Sequence, residues 1–191
     1  MKCVKCGKPS TVHVQNLDTC GSCFQKIIEK RVRKEVRTAG LIEKNDKILV
    51  IDDGSASGKV SGYLLKKIIK GMPVQIEIKQ KEFEPGMEIK GDYNKVVVPW
   101  NADLEDEYFL SCVMQNREAE FLGHYTTSSK TYVKLLLPVL SSEAEQLAKI
   151  RNFSYTEKKD KSPIREVMDK LEEEYPEAKF SLLKSSREFS R

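Results

Sequence analysis

Four cysteines in the first 23 residues carry the clearest chemistry of this protein. Cys3 and Cys6 form one C-x-x-C pair and Cys20 and Cys23 a second, with 13 residues between the pairs. Each C-x-x-C turn offers two thiolates to one ion, and two such turns complete a tetrahedral S4 site of the structural zinc type. All four positions are sulfur, so no position is left open for catalysis. Gly7 and Gly21 follow closely on cysteines, where a metal-binding knuckle needs unusual backbone angles. Two disulfides or a redox pair are the competing readings. The N-terminal stretch lacks the long apolar core of an export signal, which disfavours disulfides. His13 lies between the pairs and is read as a surface residue.

A second constellation follows the run Lys47-Ile48-Leu49-Val50-Ile51, which has the continuous apolar character of a strand buried on both faces. Asp52 to Gly58 form a loop, and Val60, Leu64, Leu65, Ile68 and Ile69 keep helical spacing after it. Open α/β sheets bind phosphates at this place, where a strand's carboxyl end feeds a helix N-terminus. A P-loop fails here, because Asp53 and Val60 stand where it needs glycine and Ser/Thr. A nucleophile elbow fails as well, because Ala56 replaces its serine.

The elements that must position these residues alternate. Strands are expected at Pro73–Ile78, Lys95–Pro99 and Tyr132–Leu137, and helices at Leu104–Asn116 and Ser141–Asn152. That order predicts an α/β fold with a doubly wound parallel sheet. Ser162 caps a further helix with Pro163 at its first position; its stripe Ile164, Val167, Met168, Leu171 and Tyr175 is read as core packing. Ala178–Phe189 is a last short helix, Lys158-Lys159-Asp160-Lys161 a polar loop, and Cys112 a small buried hydrophobe.

The 191 residues carry a net charge of +4, unevenly placed. Residues 1–44 hold ten Lys/Arg against four Asp/Glu, a net +6, whereas the remainder holds 23 against 25. A helix over Phe24–Ala39 buries Phe24, Ile27, Ile28, Val32 and Val36 and presents Lys26, Lys30, Arg31, Arg33, Lys34 and Arg37 on its other face. Charge alone suits a solvated face; the asymmetry also suits an anionic partner such as nucleic acid. No apolar stretch approaches the ~20 residues that cross a bilayer. The organisation expected is a zinc ribbon over 1–23, a basic linker helix over 24–44 and an α/β domain over 45–191.

The loop stands where the PP-loop ATP pyrophosphatases carry S-G-G-x-x-S, with Asp52, Asp53, Gly54, Ser55, Ala56 and Ser57 on that motif. One glycine and the final serine survive. Together with the four-cysteine module and basic helix, this resembles the archaeal and eukaryotic tRNA 2-thiolation proteins over most of the sequence. Pro99-Trp100-Asn101-Ala102-Asp103-Leu104-Glu105-Asp106 looks like a worn G-H-N-x-D-D segment, which in that family helps hold ATP. Leu136-Leu137-Pro138-Val139-Leu140 resembles its K-P-L strand end, and Arg165, Leu171, Glu172 and Pro176 its final helix motif. The resemblance implies a PP-loop ATPase-like (adenine nucleotide alpha hydrolase-like) fold acting on tRNA in the cytoplasm.

The catalytic branch carries a mid-sequence C-x-x-C and a later cysteine. Here the segment between Ile78 and Lys95 has no cysteine, nor do Glu157-Lys158-Lys159 near the later position. The protein therefore looks like the non-catalytic second subunit of the cytosolic tRNA 2-thiolation complex. It would pair with a catalytic thiolase that carries the ATP and iron–sulfur cluster, and with a ubiquitin-like sulfur carrier. The basic helix would supply tRNA contacts. The alternatives are an active ATP-dependent sulfurtransferase using Ser55, Ser57 and Lys59, and a zinc-ribbon module acting in transcription or translation.

Overall fold

The computed structural model describes residues 1–14, 17–123, 126–127, 130–157 and 162–189. The polar loop expected at 158–161 lies outside them. Two short antiparallel strands, β1 (Val12–Val14) and β2 (Leu17–Thr19), lie between the cysteine pairs. Helix α1 (Gly21–Thr38) follows at once. It starts three residues earlier than expected, so Cys20 is its N-cap and Cys23 lies in its first turn. Gly40, at φ 59°, ends it in the conformation only glycine adopts freely.

The sheet has the order β4-β3-β5-β7-β6, with β3 Lys47–Asp52, β4 Gln75–Gln80, β5 Lys95–Val97, β6 Thr126–Thr127 and β7 Lys130–Val133. The first four in this order run parallel, and β6 adds an antiparallel edge. The strand expected at Tyr132–Leu137 ends at Val133. Leu135 and Leu136 are fully buried but leave the ladder, Leu136 making only a bridge to Asn101. An apolar run marks burial, not hydrogen-bond register.

Alternate residues of β3 explain the two layers. Ile48 and Val50 face a core built with α1, α2 (Ala56–Ile68) and α5 (Ser141–Ile150). Leu49 and Ile51 face the opposite core, with Val96, Val98 and Trp100 against α3 (Ala102–Met114). Helices on both faces of a parallel sheet define the doubly wound class. Val12 and the Phe24, Ile28, Val32, Val36 stripe of α1 belong to the first core.

Helix α4 (Glu118–Gly123) follows α3. Helices α6 (Pro163–Glu174) and α7 (Ala178–Phe189) complete the described residues, with Ser162 Oγ accepting from the Arg165 amide as expected. The stripe on α6 is not core. Met168 is buried, but Val167, Leu171 and Tyr175 are exposed. The opposite, charged side of α6 is held inward instead, through Arg165, Asp169 and Glu172. Periodicity shows that a helix is amphipathic but not which side the body will take.

Candidate functional site

From β3 the backbone passes to β4 on one side and returns through β5 on the other, so the switch point lies at the carboxyl ends of β3 and β5. Three helix N-termini converge there. Ser55 caps α2 by accepting from the Gly58 amide at 3.1 Å, and Asn101 caps α3 by accepting from the Leu104 amide at 3.1 Å. Asn101 Nδ2 donates to Ser57 Oγ at 2.8 Å and to Ser141 Oγ at 3.0 Å, tying α2, α3 and α5 together. They enclose a cleft of 170 Å³. Their dipoles favour an anion.

The loop supplies that anion itself. Asp52 accepts from the Gly54 amide at 3.0 Å, and Asp53 from the Ser55 amide at 3.1 Å and the Ser55 hydroxyl. Lys59 Nζ is bound to Asp52 at 2.7 Å. A Cβ on Gly58 would lie 2.8 Å from Asp53 Oδ1 and 3.1 Å from Asp52 Oδ1, so both carboxylates crowd the first turn of α2. Thr156 N donates to Gly54 O at 2.9 Å and closes the loop from the far side. Among the described residues, Asp53, Glu107, Glu145 and Glu157 line the cleft, against Arg165, already paired with Asp103 at 3.1 Å.

The worn segment has become structural. Asp103 is 1% exposed; it accepts from the Ser141 amide and pairs with Arg165 and with Lys179 at 2.8 Å. Trp100, at the histidine position, donates to Glu105 at 2.7 Å, and Glu105 pairs with the buried Lys134. Burial pulls the Lys134 pKa down to about 8 despite that carboxylate.

Asp106 beside them has no mark in the sequence. It is fully buried, and neither carboxylate oxygen has a hydrogen-bond partner among the described residues. Burial first, then Asp103 and Glu105, push its pKa up to about 8, against Lys179 and Arg165. The folded protein therefore holds a proton that the unfolded state releases near pH 4. The stability this proton gives is full below that pH and is lost as pH rises toward 8. Asp106→Asn keeps the shape without the ionisation. Its stability relative to the parent, from urea melts between pH 5.5 and 8, is expected to rise by about 1 kcal/mol per pH unit. A flat difference would mean that Asp106 is not protonated in the fold.

At the N-terminus the four expected ligands meet. The sulfurs of Cys3, Cys6, Cys20 and Cys23 all lie within 4.8 Å of one another, and Cys6 and Cys20 are 3.7 Å apart. Zinc–sulfur bonds of about 2.3 Å at tetrahedral angles put sulfurs about 3.8 Å apart. The Cys20 backbone leads the donors that bring the Cys3 thiol down to about 6. Hydrogen bonds from the other thiols, Cys6 first, push Cys23 up to about 12. Four thiolates at this spacing need a cation to neutralise them, so the donor set fits a metal. His13 is exposed and bound to Asp18, not part of the set.

Of the basic residues on α1, Lys26, Lys30, Arg33, Lys34 and Arg37 are exposed. Arg31 is not in that set. It pairs with the buried Glu143 at 2.6 Å and donates to Pro138 O at 3.1 Å. Sequence places it on the basic face but does not show the carboxylate that α5 brings there.

This is the fold of the PP-loop thiolases. The U34-tRNA thiolase NcsA from Methanococcus maripaludis, solved with its [4Fe-4S] cluster, superposes with a TM-score of 0.79 at 18% identity, the match covering 87% of that thiolase and 100% of this chain. In sequence, 70 residues, 36% of this chain, are 36% identical to the tRNA-5-methyluridine(54) 2-sulfurtransferase of Thermotoga maritima. The match spans 23% of that relative's length. No protein-family model matches. The structural likeness shows the fold, and the sequence likeness is confined to a 70-residue stretch shared with a tRNA sulfurtransferase.

Proposed function

We propose that the protein is a non-catalytic subunit of a cytoplasmic tRNA wobble-uridine 2-thiolation complex. It pairs with a catalytic PP-loop thiolase and contributes scaffold and tRNA-binding surface. The observation that carries this reading is the self-filled anion loop. The amides of Gly54 and Ser55 and the ammonium of Lys59, which would meet a nucleotide's phosphates, are bound to Asp52 and Asp53. The 170 Å³ cleft is also smaller than the roughly 300–1,000 Å³ usual for small-molecule sites. ATP and the iron–sulfur cluster then belong to the partner, as does the docking of a ubiquitin-like sulfur carrier. The exposed Val167 and Leu171 on α6 and Tyr175 at its C-terminal cap offer apolar surface for that partner. The four cysteines hold structural zinc, consistent with their close spacing.

The relative matched in sequence is named as a sulfurtransferase, which favours the second reading, an active enzyme using Ser55, Ser57 and Lys59. Calorimetric titration with ATP and Mg²⁺ separates the two. The parent protein is expected to show no binding below millimolar ATP. Asp52→Ser with Asp53→Gly frees the loop donors and is expected to gain at least tenfold in affinity. Micromolar binding by the parent favours the enzyme.

Lys26, Lys30, Arg33, Lys34 and Arg37 are the proposed phosphate contacts, with Arg31 holding the helix to the body. Each phosphate contact adds about 0.9 to the slope of log affinity against log salt for a duplex. Arg33→Glu with Lys34→Glu is expected to weaken tRNA binding and lower that slope by about 2. An unchanged slope rules α1 out as the tRNA surface.

A further inference from the structure

The cleft at the switch point continues into a second cavity of 280 Å³, and the two share Asp53, Pro99, Leu104 and Glu107. The walls of this second cavity are aromatic. Trp100 stands edge-to-face with Phe83, centroids 6.1 Å apart at 90°, and with Tyr108, 5.9 Å apart at 83°. Trp100 already stacks a cation on the buried side, with Lys134 Nζ 5.0 Å from its centroid. Two carboxylates, Asp53 and Glu107, stand where the aromatic cavity meets the cleft. The Glu107 side chain makes no hydrogen bond or ion pair among the described residues. Glu145 and Glu157 extend the negative lining along the cleft.

This combination selects by charge. The π face of an aromatic ring attracts organic cations through the ring quadrupole, and flanking carboxylates add direct ion pairing. The same carboxylates repel a nucleotide's phosphates, so a stacked base is disfavoured although the rings could receive one. A hydrated metal ion gains little from apolar walls. We propose that the Trp100–Tyr108–Phe83 cavity, with Glu107 and Asp53 at its mouth, is a binding site for an alkylammonium group. Its source is a free polyamine or a lysine side chain, and the four carboxylates along the cleft suit a ligand with several ammonium groups. The proposal shares Asp53 with the anion loop of the tRNA-thiolation reading but does not depend on that reading, because none of its residues is assigned there to tRNA or to the partner.

Trp100 is the single tryptophan of the protein, so its fluorescence reports the site directly. The intact metal-bound protein is titrated at 150 mM salt with spermidine, with N-acetyl-lysine methylamide and with UMP. A saturable change in emission is expected with spermidine or the lysine probe. Tighter spermidine binding assigns the site to free polyamine, and equal or tighter binding of the lysine probe assigns it to a protein side chain. Glu107→Gln is expected to weaken binding about tenfold, the loss of one ion pair worth about 1.4 kcal/mol. Glu88→Gln, an exposed acid elsewhere, leaves it unchanged. Tyr108→Leu provides a second lesion, its fold checked by the melting curve. No saturable change with either amine, parent-like affinity in Glu107→Gln, or preference for UMP overturns the proposal.

Discussion

Replacing Lys179 by methionine is expected to destabilise the fold by about 3–5 kcal/mol, the usual cost of removing one member of a buried charge cluster. Lys179 is 5% exposed and its ammonium holds three carboxylates: Asp103 at 2.8 Å, Asp169 at 2.6 Å and Glu172 at 2.7 Å. Burial lowers its pKa, but the three partners outweigh burial and hold it above the ordinary lysine value. Without the ammonium, Asp103 keeps Arg165 as its one cation among the described residues, and α6 and α7 lose their common tie to α3. The charge matters more than the volume, so Lys179→Arg is expected to recover most of the loss. Adding Asp103→Asn to Lys179→Met is expected to cost less than the sum of the single changes, because it removes a stranded charge. Urea denaturation of the four variants measures this. A loss below 1 kcal/mol in Lys179→Met would show that the cluster is not a support of the fold.

Stripping an ion from the four-cysteine site is expected to be the second large effect. Structural zinc contributes apparent binding free energies of about 10–16 kcal/mol in small modules, so its removal is expected to unfold the turns around the cysteines. Damage should not stop there. Val12 and the buried face of α1 share a core with α2 and α5, and Gly21 packs against Ile150. Chelation, or Cys6→Ser, is therefore expected to lower the melting temperature of the whole protein by about 10 °C or more, in one transition, since a loss of a few kcal/mol shifts a domain of this size by that much. Elemental analysis before treatment identifies the ion: one zinc per protein supports the mononuclear site, whereas four irons with visible absorbance support a cluster. A melt unaffected by chelation would mean that the cysteines hold no stabilising ion.

The sequence carried the frame of the fold because each β3 residue must satisfy one of two cores, leaving no polar position between Ile48 and Ile51. It also carried the four cysteines, because ligand spacing is local. Less was legible where partners come from far along the polypeptide. Asp52 and Asp53 are readable as adjacent carboxylates that oppose phosphate, but Lys59 turning back to one of them is visible only in three dimensions. Asn101 and Asp103 look like remnants of a nucleotide site. Their work now is to join helices through Ser57, Ser141 and Lys179, groups distant in sequence on either side. Asp106 gives no local signal, since nothing in a helical A-D-L-E-D-E run says which acid will be buried. The short strands β1 and β2 leave no trace in the pattern, because three residues are too few for a periodicity.

The position of β4 at the end of the sheet has a consequence for life at high concentration. An outermost strand leaves a row of backbone donors and acceptors that a neighbouring molecule could extend into a larger sheet. Ile78 is 41% exposed there, which adds an apolar invitation. Glu77 and Lys79 flank it as an ion pair at 3.1 Å, and Tyr93 reaches over to hydrogen-bond with both. An incoming strand would have to bury that pair and break the tyrosine's clasp. The margin of the sheet is thus guarded by charge, and this defence rests on Glu77, Lys79 and Tyr93, none of them in the cysteine cluster or the cleft.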